Sequence, residues 1–231
     1  AYFIGCEILK KVRDQDFRFR DLAVVTGNLE VYGPLMEQTF ARLGIPAFID
    51  RKRDVLKNPF VEFVRALLAA VQEDFSYESM FRLLRSGMTG VTMEETDRLE
   101  NYVLARGIRG ISGWKKEWRY PLKGMEEEEL SELNELRKRA LIGLQDLRSV
   151  LTKKDTDAET MSRALYGYIA ELGIQEKLKV RKEAFEAEGN LSLAKEYDQI
   201  YGMIIELLDK LVMLLGTCVM SLEEYAELLD A

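Results

Sequence analysis

The stretch Asn58-Pro-Phe-Val-Glu-Phe-Val-Arg-Ala-Leu-Leu-Ala-Ala-Val71 has the pattern of a helix start followed by a buried helix face. Asparagine is a common N-cap residue, and proline is favoured at the first helical position after such a cap. Apolar side chains then recur at spacings of three and four residues, which places them on one side of a helix. These side chains are Phe60, Val64, Leu67, Leu68 and Val71. The stretch therefore predicts an α-helix that packs on a core.

The same helical pattern continues to the end of the chain. Thr92-Met-Glu-Glu95 is a capping box, in which a hydroxyl and a carboxylate satisfy free backbone amides, and it predicts a helix to about Arg106. Residues 107–124 contain four glycines and one proline, which predicts a loop with one short helix. Other helices are predicted at 76–84 (closed by Gly87), at 133–151, from a capping box at Thr156-Asp-Ala-Glu159 to Leu172, at 197–215, and from Ser221 onward.

The first fifty residues have a different pattern. Apolar residues at helical spacing predict a helix near residues 4–12, and Leu22-Ala-Val-Val-Thr26 is typical of a short buried strand. A helix predicted to end at Gly44 follows, and then Ala47-Phe-Ile-Asp50 predicts a second strand. Strand, helix and strand in this order form a parallel βαβ unit. The predicted fold class is thus mainly α with a small α/β part at the start.

Composition excludes several classes of protein. The 231 residues are 47% hydrophobic, which is too high for disorder, and they include no histidine, the commonest general base and zinc ligand. The two cysteines, Cys6 and Cys218, are far apart in sequence and are predicted to be small buried apolar residues rather than nucleophiles. No signal peptide and no membrane span are predicted, so we expect a cytoplasmic protein.

The motifs of nucleotide and metal chemistry are missing from this sequence. It contains neither a GxxxxGK[ST] phosphate loop nor a GxGxxG turn. The acidic run Glu126–Glu129 is contiguous, so its side chains point in different directions, and it is predicted to be a solvated first helical turn. We expect no catalytic residues and no metal site in this chain.

Two basic segments stand out against a net charge of −7. One follows the second predicted strand, where it is either ordinary solvated charge or a phosphate contact. The other runs from Arg106 to Lys123, with six cations against Glu117, and is interleaved with aromatic residues. Its residues Trp114 and Trp118 either pack on the core, which we favour, or stack on bases. The candidate nucleic-acid contacts are Arg51, Lys52, Arg53, Lys57, Arg109, Lys115 and Lys116.

Several stretches resemble a known family. Asp21-Leu-Ala-Val-Val25 and Leu43-Gly-Ile-Pro46 are similar to the motif IV region of UvrD-like superfamily 1 helicases. Longer stretches resemble the AddB family, the helicase-like subunits of bacterial AddAB helicase–nucleases. These stretches are 20–30, 48–54, 58–65, 75–79 and 97–102.

The resemblance implies a domain arrangement. Residues 1–54 would begin a RecA-like 2A domain, and residues 55–231 would be a helical 2B-like insertion, with the chain ending before its return to 2A. The chain would then be a middle fragment of a longer subunit. Active superfamily 1 motors carry an arginine at the end of motif IV, whereas the matching positions here are Thr26 and Gly27. The resemblance thus implies a degenerate motor.

The resemblance also implies a function. The chain would be a non-catalytic part of an ATP-dependent helicase/exodeoxyribonuclease that processes DNA double-strand breaks for recombinational repair, with an AddA-type helicase/nuclease subunit and DNA as partners. ATP, magnesium and an iron–sulfur cluster would belong to the full complex, and none to this fragment. The alternative is a free-standing helical adaptor that binds only proteins, which the acidic net charge favours.

Overall fold

The computed structural model describes residues 1–49 and 55–230, and helices make up most of this part of the chain. The helices are α1 (Tyr2–Asp14), α2 (Leu29–Arg42), α3 (Pro59–Gln72), α4 (Tyr77–Arg85), α5 (Met93–Arg106), α6 (Gly110–Lys115), α7 (Glu127–Ala140), α8 (Leu144–Leu151), α9 (Ala158–Glu171), α10 (Ile174–Ala187), α11 (Leu191–Leu215) and α12 (Leu222–Asp230). Two short 3₁₀ turns lie at Phe19–Asp21 and Val55–Lys57. The mainly α prediction is confirmed.

The capping signals in the sequence explain where several helices begin. The buried side chain of Asn58 accepts a hydrogen bond from the amide of Phe60 at 2.9 Å, as predicted for the cap of α3. The box at Thr92 is complete, because the Thr92 hydroxyl and the Glu95 carboxylate each accept a backbone amide of the other residue. Ser221 forms a corresponding pair of contacts at the start of α12. The predicted caps at these three helices are confirmed.

Two helix predictions are wrong in detail. The single helix predicted at 133–151 is broken between α7 and α8, because Gly143 adopts a left-handed backbone with φ of +69°. The apolar repeat runs through this break, so the sequence pattern does not reveal it. At α9 the cap is Asp157, which accepts from the amide of Thr160 at 2.8 Å. Thr156 is instead buried and donates to the carbonyl of Lys153.

The predicted βαβ start is also wrong. Helix α2 is present and is followed by Gly44 with φ of +66°, but neither residues 22–26 nor residues 47–49 form a strand. Leu22 has an extended backbone, with φ of −112° and ψ of 134°. An extended segment becomes a strand only when its amides and carbonyls pair with a neighbouring strand. Within the described residues, the β pairing is an isolated bridge between Asp157 and Val219.

Apolar side chains form two separate clusters in the described residues. The large cluster extends from α3 to α12, with α3 packed on α4, α11 and α12. The small cluster consists of Met36, Phe40 and Ile45, with partly buried side chains from α1 around them. A contact between the first fifty residues and α11 is made by the Lys195 ammonium, which lies 5.0 Å from the centre of the Phe48 ring.

Both cysteines differ from their prediction. Cys6 on α1 and Cys218 before α12 are unpaired thiols on the surface rather than buried apolar residues. Burial was expected because free cysteine is among the residue types most often buried. Among the described residues, no helix has both the length and the apolar character needed to cross a membrane.

Candidate nucleic-acid interface

Residues 106–123, called the basic loop below, are anchored by two buried tryptophans. Trp114 is fully buried and Trp118 is 6% exposed. The Trp118 ring stacks on Tyr102 with centroids 4.7 Å apart, and the Trp114 ring lies 6.0 Å from Phe81. The packing interpretation of these tryptophans is therefore confirmed. Their faces are occupied by protein side chains, so they are not available to stack on bases.

Asn134 of α7 fixes the backbone of the loop. It accepts the amide of Trp118 at 3.0 Å and donates to the carbonyl of the same residue at 2.8 Å. It also donates to the carbonyl of Leu130, one turn earlier in α7. A buried amide group thus satisfies both backbone groups of Trp118, in the way a neighbouring strand would. The loop at this point has one fixed position relative to α7.

Arg137, one turn after Asn134, holds the end of α6. Its guanidinium donates to the carbonyls of Trp114 at 2.7 Å and Lys115 at 3.1 Å, and to the Asn134 side chain at 3.1 Å. It also lies 5.8 Å from the centre of the Trp118 ring. The residue is only 5% exposed, and burial lowers the pKa of its guanidinium. Its hydrogen-bond acceptors are neutral, while the carboxylates of Glu117 and Glu135 oppose this lowering of the pKa, so the positive charge that Arg137 brings beneath the loop is partly balanced.

Tyr102 and Arg106 of α5 hold the other end of the loop. The Tyr102 hydroxyl and the Arg106 guanidinium each donate to the carbonyl of Tyr120 at 2.8 Å. Arg106 donates in addition to the carbonyl of Pro121. The Tyr120 backbone is thus fixed by two side chains from a neighbouring helix, whereas its ring is 73% exposed.

The predicted contact residues of the basic loop fall into two environments. Lys115 and Lys116 are exposed at the C-terminal end of α6, and neither has an acidic partner within the part of the chain that the structure describes. Arg109, the N-cap of α6, lines a groove of about 790 Å³ whose other walls include Glu73, Asp74 and Glu78. Those acids make the groove unfavourable for a phosphate. The lysine pair is therefore the better candidate for binding an anion.

The remaining predicted residues follow the first fifty residues in sequence. Arg51, Lys52 and Arg53 are outside the described residues, so their role stays a prediction. Lys57 is exposed at the end of the second 3₁₀ turn.

The predicted motif IV positions lie at the bend before α2. The Thr26 hydroxyl accepts the amide of Asn28 at 3.3 Å. A Cβ atom built on Gly27 would meet no atom within 4 Å, so packing does not explain why this position lacks a side chain.

Sequence reasoning missed Asn134 and Arg137 as the residues that hold the basic loop. A usable signal was present, because both interrupt the apolar face of α7 at a spacing of three residues. Polar side chains on a buried face require hydrogen-bonding partners.

The described residues do not provide a site for the metals that the family resemblance implies. No group of three or more His, Cys, Asp or Glu side chains in this part of the chain is close enough together to hold an ion. The two cysteines belong to different ends of the chain and are unpaired.

No protein-family model matches the chain. It is, however, similar to curated proteins whose names describe the B subunit of an ATP-dependent helicase/deoxyribonuclease. The protein from Lachnoclostridium phytofermentans is 39% identical over 227 residues, which is 97% of this chain and 20% of the relative. The proteins from Acetivibrio thermocellus and Clostridium novyi are 39% and 36% identical, over 97% and 98% of this chain.

These similarities extend over almost all of the chain, well beyond the motifs quoted above. The chain spans about a fifth of the length of the relatives it matches, which agrees with the expectation that it is a fragment of a longer subunit. The resemblance to AddB-type proteins is thus confirmed, because nearly the whole chain is similar to a segment of proteins named as B subunits of ATP-dependent helicase/deoxyribonucleases.

Proposed function

We propose that this chain is a non-catalytic segment of an AddB-type subunit and that its basic loop contacts DNA. The parent enzyme would process DNA double-strand breaks in the cytoplasm, together with an AddA-type helicase/nuclease subunit. ATP, magnesium and an iron–sulfur cluster would then be bound by other parts of that enzyme. The names of the relatives support a role with DNA, since they describe a helicase and deoxyribonuclease.

The observation that carries this proposal is a basic loop with a fixed backbone and solvent-facing lysines. Lys115 and Lys116 project from a segment that Arg137 and Asn134 hold in place. Fixing the backbone beforehand lowers the entropy lost when a lysine contacts a phosphate. The loop carries a local charge of +5 on a chain of net charge −7. The rest of the surface would repel DNA, so we expect the affinity to appear in the complete enzyme.

We also propose the domain division at residues 54 and 55. The separate apolar cluster around Met36, Phe40 and Ile45 supports a distinct first part. An open apolar groove of about 820 Å³, bordered by residues 22–26 and 45–49, adds to this support. Exposed apolar surface is typical of an interaction site. In a RecA-like 2A domain, other parts of the same polypeptide would cover this groove.

The proposed DNA contact is tested by replacing the lysine pair in the complete two-subunit enzyme. Lys115→Ala with Lys116→Ala should weaken single-stranded DNA binding and flatten its salt dependence, because each lost phosphate contact lowers the slope of log K against log salt by about 0.7. Binding is measured without divalent metal, so that the DNA is not degraded.

The matched control is Lys153→Ala with Lys154→Ala. This second pair of adjacent lysines is also exposed, and it lies in the turn before α9. We expect its replacement to leave the slope unchanged. Equal slopes for both double variants and the parent enzyme would contradict the DNA contact and favour the adaptor alternative, in which this surface meets only protein.

A further inference from the structure

We propose that Tyr120 is a stacking residue for an unpaired base of single-stranded DNA. This inference rests on the proposed DNA contact of the basic loop and adds the class of ligand and the residue that recognises it. It concerns the one aromatic side chain of the loop that does not pack into the core.

The position of Tyr120 is set by its backbone rather than by its ring. Its carbonyl accepts hydrogen bonds from the Tyr102 hydroxyl and the Arg106 guanidinium, both at 2.8 Å. Tyr102 is in turn stacked on Trp118, whose backbone is bound by Asn134. The following residue, Pro121, restricts the backbone of Tyr120 to extended conformations. The backbone of Tyr120 is therefore held in place by other residues, and its ring takes no part in these contacts and stays accessible to a ligand.

The exposure of this ring is unusual for the helical part of the chain. At 73% it is the most exposed aromatic side chain among residues 55–230, ahead of Tyr166 at 47%. The other two aromatic residues of the basic loop, Trp114 and Trp118, are buried and pack in the core. An exposed aromatic ring between basic residues is the arrangement with which proteins bind single strands, since the ring stacks on a base while cations contact the phosphates.

The charges around Tyr120 favour an anionic ligand. Arg119 precedes it and Lys123 follows it closely, and the guanidinium of Arg106 lies at its carbonyl. Arg119 forms an ion pair with Glu117 at 3.3 Å, but both side chains are largely exposed and such a surface pair is weak. Bases in a duplex are stacked on one another, whereas an unpaired base leaves a face open for the ring. The ligand is therefore a single strand rather than a duplex.

The test compares Tyr120→Ala, Tyr120→Leu and Tyr120→Phe in the complete enzyme, again without divalent metal. None of them removes the backbone carbonyl, so the loop anchor stays in place. For an oligo-dT strand we expect Ala and Leu to weaken binding roughly tenfold and Phe to bind like the parent, because stacking needs an aromatic face and not the hydroxyl. Tyr166→Ala, which alters a half-exposed tyrosine on α9, is the control and should change nothing.

A strand of the same length with abasic sites separates stacking from phosphate contacts. On that strand the Ala variant and the parent should bind equally, since no base remains to stack. Loss of affinity for the abasic strand, or an equal loss for duplex DNA, would overturn the inference. If Tyr120→Ala binds normally while the lysine pair variant is weakened, Tyr120 is not a stacking residue and the DNA contact stands. If both bind normally, the proposed function fails as well.

Discussion

Arg137 is a buried cation whose hydrogen-bonding partners are all neutral. It donates to two carbonyls at the end of α6 and to Asn134, with Trp118 alongside its guanidinium. Removing such a group leaves buried acceptors without a donor, and each unsatisfied acceptor costs about 1–3 kcal/mol. The energetic importance of Arg137 thus comes from the backbone groups that it satisfies.

We expect Arg137→Ala to lower the free energy of unfolding of the chain by about 2–4 kcal/mol. Urea unfolding followed by tryptophan fluorescence measures this directly, since the two tryptophans of the chain, Trp114 and Trp118, both lie within the basic loop. The control is Arg98→Ala, which breaks an exposed ion pair with Glu132 and should cost at most about 1 kcal/mol. Similar losses in the two variants would show that Arg137 does not hold the loop.

At the scale of single residues, the sequence predicted side chains whose roles depend on local spacing. The cap Asn58 and the burial of Trp114 and Trp118 were predictable because capping and helical periodicity operate within a few positions. The position of Arg137 on the apolar face of α7 indicates a polar group that needs buried partners. Which groups it binds was not predictable, because they are backbone carbonyls more than twenty residues earlier in the chain. The exposure of Cys6 and Cys218 likewise depends on which face of each segment meets a neighbour.

The break between α7 and α8 depends on one glycine. Gly143 has φ of +69°, and a Cβ atom there would lie 2.9 Å from the ring of Tyr168. Gly143→Ala should therefore destabilise the chain by more than about 1 kcal/mol, from backbone strain and from the clash with Tyr168.

Gly124→Ala is the matched control for Gly143→Ala. Gly124 also has a positive φ, of +83°, but a Cβ atom there meets open space, so only the strain applies. Thermal unfolding of both variants separates the two effects. If residues 133–151 formed one continuous helix, Gly143→Ala would raise the melting temperature instead, because alanine is the better helix former.

A carboxylate at the start of α5 ties that helix to α7. Glu95 accepts two hydrogen bonds from Arg139 and one from the amide of Thr92. The Arg139 guanidinium, followed by the Thr92 amide, lowers the pKa of the Glu95 carboxyl below its usual value of 4.5. A lowered pKa in the folded state means that the ionised carboxylate stabilises the fold above about pH 4.5. This contribution is lost as the pH falls through the folded pKa.

We expect Glu95→Gln to be less stable than the parent chain at pH 7, with a difference that shrinks as the pH is lowered toward 3. Denaturant unfolding over this pH range is the measurement, and the absence of histidine keeps the region between pH 5 and 8 free of other side-chain titrations. Glu94→Gln, which changes the exposed neighbour, should show no such trend. A difference that is constant with pH would rule out the ionised Glu95 as the source.

At the scale of elements, helices could be predicted more reliably than their interruptions and more reliably than strands. The apolar repeat of a helix lies within its own residues, and helices such as α3, α5 and α12 also have a capping side chain directly at their start. The helix break at Gly143 leaves the apolar repeat in phase, so only the backbone conformation reveals it. The segments 22–26 and 47–49 have strand composition, but strand formation requires a partner that their own residues do not supply.

For the whole molecule, the repeats of apolar residues at helical spacing predicted the mainly α class. The resemblance to AddB-type proteins was predicted from short motifs, and the similarity over 97% of the chain confirms it. The net charge of −7, taken alone, argues against DNA binding. The structure shows how a locally basic surface is built, because Asn134, Arg137 and Arg106 satisfy the backbone of the basic loop and leave its lysines outside. Such an arrangement requires contacts between α5, α7 and the loop, which no single stretch of sequence contains.

Amide hydrogen exchange of the complete enzyme, with and without bound single-stranded DNA, tests most directly whether the basic loop contacts DNA. We expect amides of residues 116–123 to exchange more slowly in the presence of DNA, and those of the turn at Lys153 and Lys154 to exchange at an unchanged rate. The DNA contact would be contradicted by unchanged exchange at 116–123 in an enzyme that is saturated with DNA.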